Sequence, residues 1–251
     1  MGSKMVLDRE KSARSVTTSL RTNGPEVADA FTARLKPHLK DGEEMPDVAL
    51  LFELMARHLD AKTDAMTGVD REHNAQLGER AEAINEREGL IDAIMTELED
   101  TRQLVTGLYR SETSRKLTLA PAPARDAEAL KGRLKSIVEN LAEFAFGESR
   151  INGASLDPAA LATRFGEQLQ RLQSSLTEVA QEHKETSASQ RAKNAAMDDY
   201  DNTFHTLASL TEHFYRAVDE HLLARDVRPS SSRRGRTNVS GDTDDSGDQP
   251  T

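Results

Sequence analysis

The chain contains no cysteine and no tryptophan. Without thiols it can form no disulfide, offers no thiolate nucleophile and cannot hold a metal through cysteine, which removes several enzyme classes at once. Aromatic residues make up only 4% of the sequence, and 8 prolines among 251 residues leave long stretches with nothing to break a helix. No apolar run approaches the roughly 20 residues needed to cross a bilayer. The opening Met1-Gly2-Ser3-Lys4-Met5-Val6 lacks the apolar stretch of a secretory signal, and Val6 stands where N-myristoylation wants Ser or Thr. These absences point to a cytoplasmic protein with no membrane insertion. A surplus of cations is missing too. The net charge of −10 repels the phosphate backbone, so nucleic acid is not an expected partner.

What the chain has in abundance is Ala, Leu, Glu and Arg, residues that lose little side-chain freedom in a helix. It also repeats itself. A shift of 110 residues lays Leu51, Leu59, Thr67, Val69, Glu72 and His73 on Leu161, Leu169, Thr177, Val179, Glu182 and His183, with Met55 on Phe165 and Met66 on Leu176. A tandem duplication of an all-α unit accounts for both features.

Each repeat is expected to hold three helices. In the first, Asn23-Gly24-Pro25-Glu26 reads as a helix start, followed by Val27, Phe31, Leu35 and Leu39 at four-residue spacing (helix A1), with Pro37 ending or kinking it. Asp47 is a candidate N-cap for helix B1, whose Val48, Phe52, Met55, Leu59, Lys62, Met66, Val69 and His73 alternate steps of four and three. That heptad stripe keeps one seam against a partner helix, and Lys62 fits it by running its methylenes along the seam. Helix C1 carries Ile91, Ile94, Leu98, Thr101, Val105 and Leu108. The second repeat supplies A2 (Leu130, Leu134, Ile137, Leu141, Phe144), B2 opening at Asp157 (Phe165, Leu169, Leu172, Leu176, Val179, His183) and C2 (Tyr200, Phe204, Leu207, Thr211, Phe214, Val218).

The polar stretches 74–88 and 184–196 between B and C have little to bury and are expected to turn, folding each repeat into an antiparallel bundle. The alternative is one uninterrupted helix from Asp47 past Leu108, about 90 Å long at 1.5 Å per residue. Such a rod needs a partner along its full length, which an oligomer would supply.

The expected organisation is therefore an N-terminal arm or short helix (1–22), helical repeat 1 (23–110), a Pro/Ala linker (111–124), helical repeat 2 (125–225) and a disordered tail (226–251). The linker contains Leu117-Thr118-Leu119-Ala120-Pro121-Ala122-Pro123, which cannot propagate a helix. The tail carries Arg228, Arg233, Arg234 and Arg236 and then four aspartates, with no large apolar residue after Thr237.

No phosphate loop, nucleophile elbow or His-Glu-x-x-His motif is present, so the chain is read as a non-enzyme without a cofactor. The repeated Glu72-His73 and Glu182-His183, with His205 and His213 in C2, are candidates for a metal or a pH-responsive site, although Glu-His neighbours point about 100° apart on a helix. Thr101 and Thr211 fall within the seams and are expected to bond back into their own helices. The expected function is a helical scaffold or adaptor working through protein contacts and self-association. Its interaction seam would be Met55, Leu59, Met66, Val69, Phe165, Leu169, Leu172, Leu176 and Val179, and the tail arginines would dock on an acidic surface. The alternative is a ligand- or metal-sensing bundle using polar positions in the seams.

Overall fold

Helix α1 (Lys4–Leu35) buries Val6, Ala13, Val16, Leu20 and Val27 along one stripe, and this stripe carries it straight through Gly24-Pro25. The sequence suggested a short arm and then a fresh start at Pro25. Two features remove the need for a break. Pro25 and Arg21 lie on the exposed side, so the carbonyl that loses its donor faces water. Gly24 lets α1 close on the next helix: a Cβ there would sit 3.2 Å from the Phe52 ring. As expected, Pro37 marks the end, where α1 gives way to a 3-10 turn, Lys36–His38.

The computed structural model describes residues 2–119 and 126–238; among them the regular structure is helical, apart from a single β-bridge between Pro229 and Thr237. Helix α2 (Val48–Leu108) is capped by Asp47, whose Oδ1 accepts from the Leu50 N–H at 2.8 Å. It runs 61 residues without interruption. The turn expected in 74–88 is absent. The polar side chains of 74–88 offer little to bury by themselves, but Ala83 is buried and so is His73 just before the stretch. After α3 (Ser111–Lys116) come α4 (Ala127–Ala142), capped by Asp126 through the Glu128 and Ala129 N–H groups, and α5 (Pro158–Ala217), capped by Asp157. Helix α5 is 60 residues long, so the turn expected in 184–196 is absent as well. Helix α6 (His221–Val227) closes the series. None of the described helices is long and apolar enough to cross a membrane.

The chain divides into two compact units. One combines residues up to 75 with those from 188 onward; the other is 76–187. They do not coincide with 23–110 and 125–225, because an unbroken α2 cannot fold its second half back on its first. In the first unit, α1 and the first part of α2 pack with the last part of α5 around Leu20, Phe52, Leu59, Met66, Tyr200, Phe204 and Tyr215. Antiparallel pairing of the two long helices there is marked by Lys62 with Asp199 at 2.8 Å and Asp70 with Lys193 at 2.6 Å. In the second unit, α4 packs with residues 76–108 and 158–187 around Ile91, Ile94, Val105, Leu134, Ile137, Phe165 and Leu172. Gln168 donates to Glu97 across that pair at 2.9 Å. The long helices thus have partners within the same chain.

Two segments expected to lack structure are part of these cores. Leu117 and Leu119 of the linker are buried in the second unit, directly after α3. Residues 120–124 of that linker lie outside the described residues. In the tail, residues 226–238 are ordered on the first unit, with Val227 and Thr237 buried; the acidic stretch from 239 lies outside the described residues.

Candidate functional site

The four candidate histidines are not brought together. His73 is buried in the middle of α2, its Nδ1 2.9 Å from the Ser189 hydroxyl. One turn earlier, Asp70 is buried as well, accepting from the Ser3 N–H at 2.8 Å and pairing with Lys193 at 2.6 Å. Burial alone would raise its carboxyl, but the bonds from Lys193 and Ser3 prevail and hold it below the ordinary range. This carboxylate is committed to Lys193 and the Ser3 N–H. Asp70, His73, Ser189 and Lys193 form a polar layer that sets the register of two antiparallel helices. His183 is exposed in the second unit, and His205 and His213 are exposed on α5, where the His213 Nδ1 lies 2.6 Å from the Ser209 carbonyl. Among the described residues, no three His, Asp or Glu side chains converge in a manner that would hold a metal ion. Thr211 donates to the Leu207 carbonyl at 2.8 Å, the bond expected of a seam threonine.

The seam residues are placed inside the two units. Met55, Leu59 and Met66 belong to the first core, with Val69 half-buried. Phe165 and Leu172 belong to the second, with Leu169 and Leu176 packed against it and Val179 half-buried.

The most densely built polar site includes the tail arginines that the sequence singles out, but it is organised around Arg9, Tyr200 and Asp201, whose polar roles the sequence does not single out. Beyond α6, residues 228–238 double back as a strap: Pro229 bridges Thr237, the Ser230 N–H donates to the Arg236 carbonyl at 2.7 Å, and the Asn238 N–H donates to the Arg228 carbonyl at 2.8 Å. The reversal passes through Gly235 at φ +67°, a left-handed conformation suited to glycine. A Cβ there would collide with the Asp201 carboxylate and the Tyr200 ring, so only glycine lets the strap lie this close.

Beneath the strap, Arg9 of α1 donates from Nε and Nη2 to the two oxygens of Asp201, both at 2.8 Å, with the two side chains only 7% and 9% exposed. This fork-to-fork geometry is the strongest arrangement for such a pair. It raises the Arg9 guanidinium further above its ordinary value, chiefly through the bond to Asp201. Tyr200 donates to the Arg9 carbonyl at 2.8 Å and reaches the Gly235 carbonyl at 3.3 Å; burial pushes its phenol well up, so it stays a neutral donor.

Two of the four tail arginines meet acidic groups of their own chain. Arg236 pairs with Asp8 at 3.1 Å, and Arg228 lies 3.8 Å from Glu212. Two grooves flank the strap. One, of about 440 Å³, is lined by Lys4, Asp8, Lys11, Ser12, Arg233, Arg236 and Thr237. The other, of about 460 Å³, includes Asp201, His205, Ser230 and Arg234. The first gathers Lys4, Lys11, Arg233 and Arg236 about Asp8, while the Ser12 hydroxyl donates to the Asp8 carbonyl at 3.1 Å.

A sequence signal for part of this site existed. Arg9 falls on the apolar stripe of α1 between Val6 and Ala13, and Asp201 falls on that of α5 between Met197 and Phe204. A charge within an apolar stripe implies a buried counter-charge, although nothing local says which one. Comparisons with protein-family models, curated proteins and solved structures return no match for the chain.

Proposed function

We propose that this chain is a non-enzymatic helical scaffold that works through protein contacts and associates with a second copy of itself. The observation that carries this reading is a stripe on the outer face of α2. Leu50, Leu51 and Leu54 are 50%, 43% and 50% exposed within little more than one turn, while the seam residues are already used by the cores. Glu43, Glu44 and Asp47 precede the leucines, and Arg57 and His58 follow them, all exposed. Two such stripes laid antiparallel about a two-fold axis set the acidic residues of each copy near Arg57 of the other, which also bonds Glu53 of its own helix at 2.8 Å, while the leucines meet in the middle. This is the self-complementarity that an isologous dimer requires.

The proposed history is a tandem duplication with exchanged segments. Helices α2 and α5 begin 110 residues apart, at Val48 and Pro158, the offset that superimposes the repeated sequence. On this reading each unit keeps helices A and B of one repeat and takes helix C from the other. The heptad seams then serve the chain's own antiparallel pairing.

Light scattering on the purified full chain across a range of concentrations tests the proposal. A dimer that dissociates in Leu50→Lys/Leu54→Lys is the expected result. A strict monomer at high concentration, or an oligomer indifferent to those substitutions, overturns it.

A second reading, a ligand-sensing bundle, is favoured by the cation-lined groove beside the strap more than by the histidine or threonine positions. Metal analysis and a thermal-shift screen address it, since a ligand that binds only the folded form raises its melting temperature.

A further inference from the structure

The chain holds two Asn-Gly pairs, Asn23-Gly24 and Asn152-Gly153, and the fold treats them oppositely. Asn23-Gly24 lies inside α1, where the Gly24 N–H belongs to the helical ladder and the Asn23 amide donates to the Ser19 hydroxyl at 3.3 Å. Asn152-Gly153 lies in the loop between α4 and α5, with both residues exposed. The Ala154 N–H donates to the Ile151 carbonyl at 3.2 Å, which makes Asn152 and Gly153 the central residues of a β-turn, with Gly153 at φ +82°. Such a turn leaves its central peptide outside the bond that closes it. Among the described residues, neither the Asn152 carbonyl nor the Gly153 N–H has a hydrogen-bond partner, and the Asn152 side-chain amide has none either. A mobile carboxamide thus stands beside a free backbone nitrogen, with no Cβ on the following residue to shield it and water on all sides.

We propose that Asn152 is a site of spontaneous covalent modification, converted through a cyclic imide to aspartate and isoaspartate. The Gly153 nitrogen loses its proton to solvent and bonds to the Asn152 Cγ; the Cγ–Nδ2 bond breaks, and ammonia leaves with a proton taken back from solvent. Water then opens the imide at one of its two carbonyls. Opening at Cγ gives aspartate. Opening at the main-chain carbonyl gives isoaspartate, in which the chain runs on through Cβ and Cγ and the former main-chain carbonyl becomes a free carboxylate. Both products add one negative charge, but only isoaspartate lengthens the main chain, by one carbon–carbon bond of about 1.5 Å.

That extra length falls between two fixed points. The Arg150 N–H donates to the Leu108 carbonyl at 2.8 Å, and the Leu156 N–H donates to the Tyr109 hydroxyl at 3.1 Å, so the loop is tied to the end of α2 on both sides of the turn. Isoaspartate at 152 therefore loosens one or both ties, whereas aspartate leaves them in place. The site is separate from the leucine stripe and does not depend on self-association.

Ageing the purified full chain in warm, mildly alkaline buffer tests the proposal. Peptide mapping by mass spectrometry follows each pair, with fragmentation that tells isoaspartate from aspartate. In the folded protein Asn152 should gain a single dalton at least about tenfold faster than Asn23, because Asn23 reacts only when α1 opens locally; in the urea-unfolded chain the two rates should converge. Aged protein should lose hydrogen-exchange protection at the Arg150 and Leu156 amides. Freshly made Asn152→Asp, which has the charge without the length, should keep it, and Asn152→Ser should keep it through ageing. Folded protein in which Asn152 reacts no faster than Asn23 overturns the proposal. So does an equal loss of protection in aged Asn152→Ser, or an isoaspartyl form that protects both amides as well as Asn152→Asp does.

Discussion

Replacing Asp201 by Asn tests the buried pair beneath the strap. The carboxylate receives two 2.8 Å bonds from a guanidinium, and both side chains are more than nine-tenths buried. Asn keeps the volume and one acceptor but leaves Arg9 charged and without a counter-charge. Breaking a buried pair from one side costs about 3–5 kcal/mol. Retention of one acceptor puts Asp201→Asn near the lower end, about 3 kcal/mol, a large share of the ~5–15 kcal/mol that holds a typical domain folded. For a chain of this size that corresponds to a fall of roughly 6–12 °C in melting temperature. Removing both charges in Arg9→Met/Asp201→Leu should recover most of the loss, because no unpaired ion remains and desolvation is no longer opposed. Urea unfolding followed by circular dichroism gives the free energies. Hydrogen exchange locates them, and amides of α1, the last part of α5 and the strap should lose protection while those of 76–187 keep theirs. An Asp201→Asn protein within about 1 kcal/mol of the original, or a double variant as unstable as the single one, would refute the reasoning.

Three further outcomes follow from the same structure. The Asp70 carboxyl is held below its ordinary range, so its contribution is fully present above the unperturbed value of ~3.9 and is lost as pH falls through the lower folded value; an acid titration should show Asp70→Asn with a flattened limb below about pH 4. Gly24→Val places methyls against the Phe52 ring, where even a Cβ stands at 3.2 Å, and should cost about 1–3 kcal/mol, measured by denaturant midpoint at unchanged slope. In the second unit, Phe165→Ala empties a side chain that is 1% exposed and should cost about 3–5 kcal/mol, with hydrogen-exchange protection lost in 76–187 first.

The candidate site was only partly visible in one dimension. Lys62 stood out as a polar residue in a seam, and the structure gives it Asp199 as its partner at 2.8 Å. Arg9 and Asp201 are 192 positions apart, and Tyr200 reaches Gly235 only because the strap doubles back. The tail illustrates the same limit. Its composition of Arg, Ser, Pro and Gly marks a segment with no core of its own, but Arg236 finds Asp8 and Gly235 fits against Tyr200, contacts that supply from outside what the segment lacks.

What the amino-acid order determined alone is the helical character and many of the boundaries. Asp47 and Asp157 cap α2 and α5, and Pro37 ends α1, because caps and breakers act within one turn. Apolar stripes likewise showed which face of each helix would be covered. Only the tertiary structure decided what covers it. Residues 74–88 and 184–196 looked like turns because their own side chains had little to bury, yet α2 and α5 run through them as antiparallel partners. A stripe records that one face leaves water; its partner depends on contacts between distant segments, which no local spacing encodes.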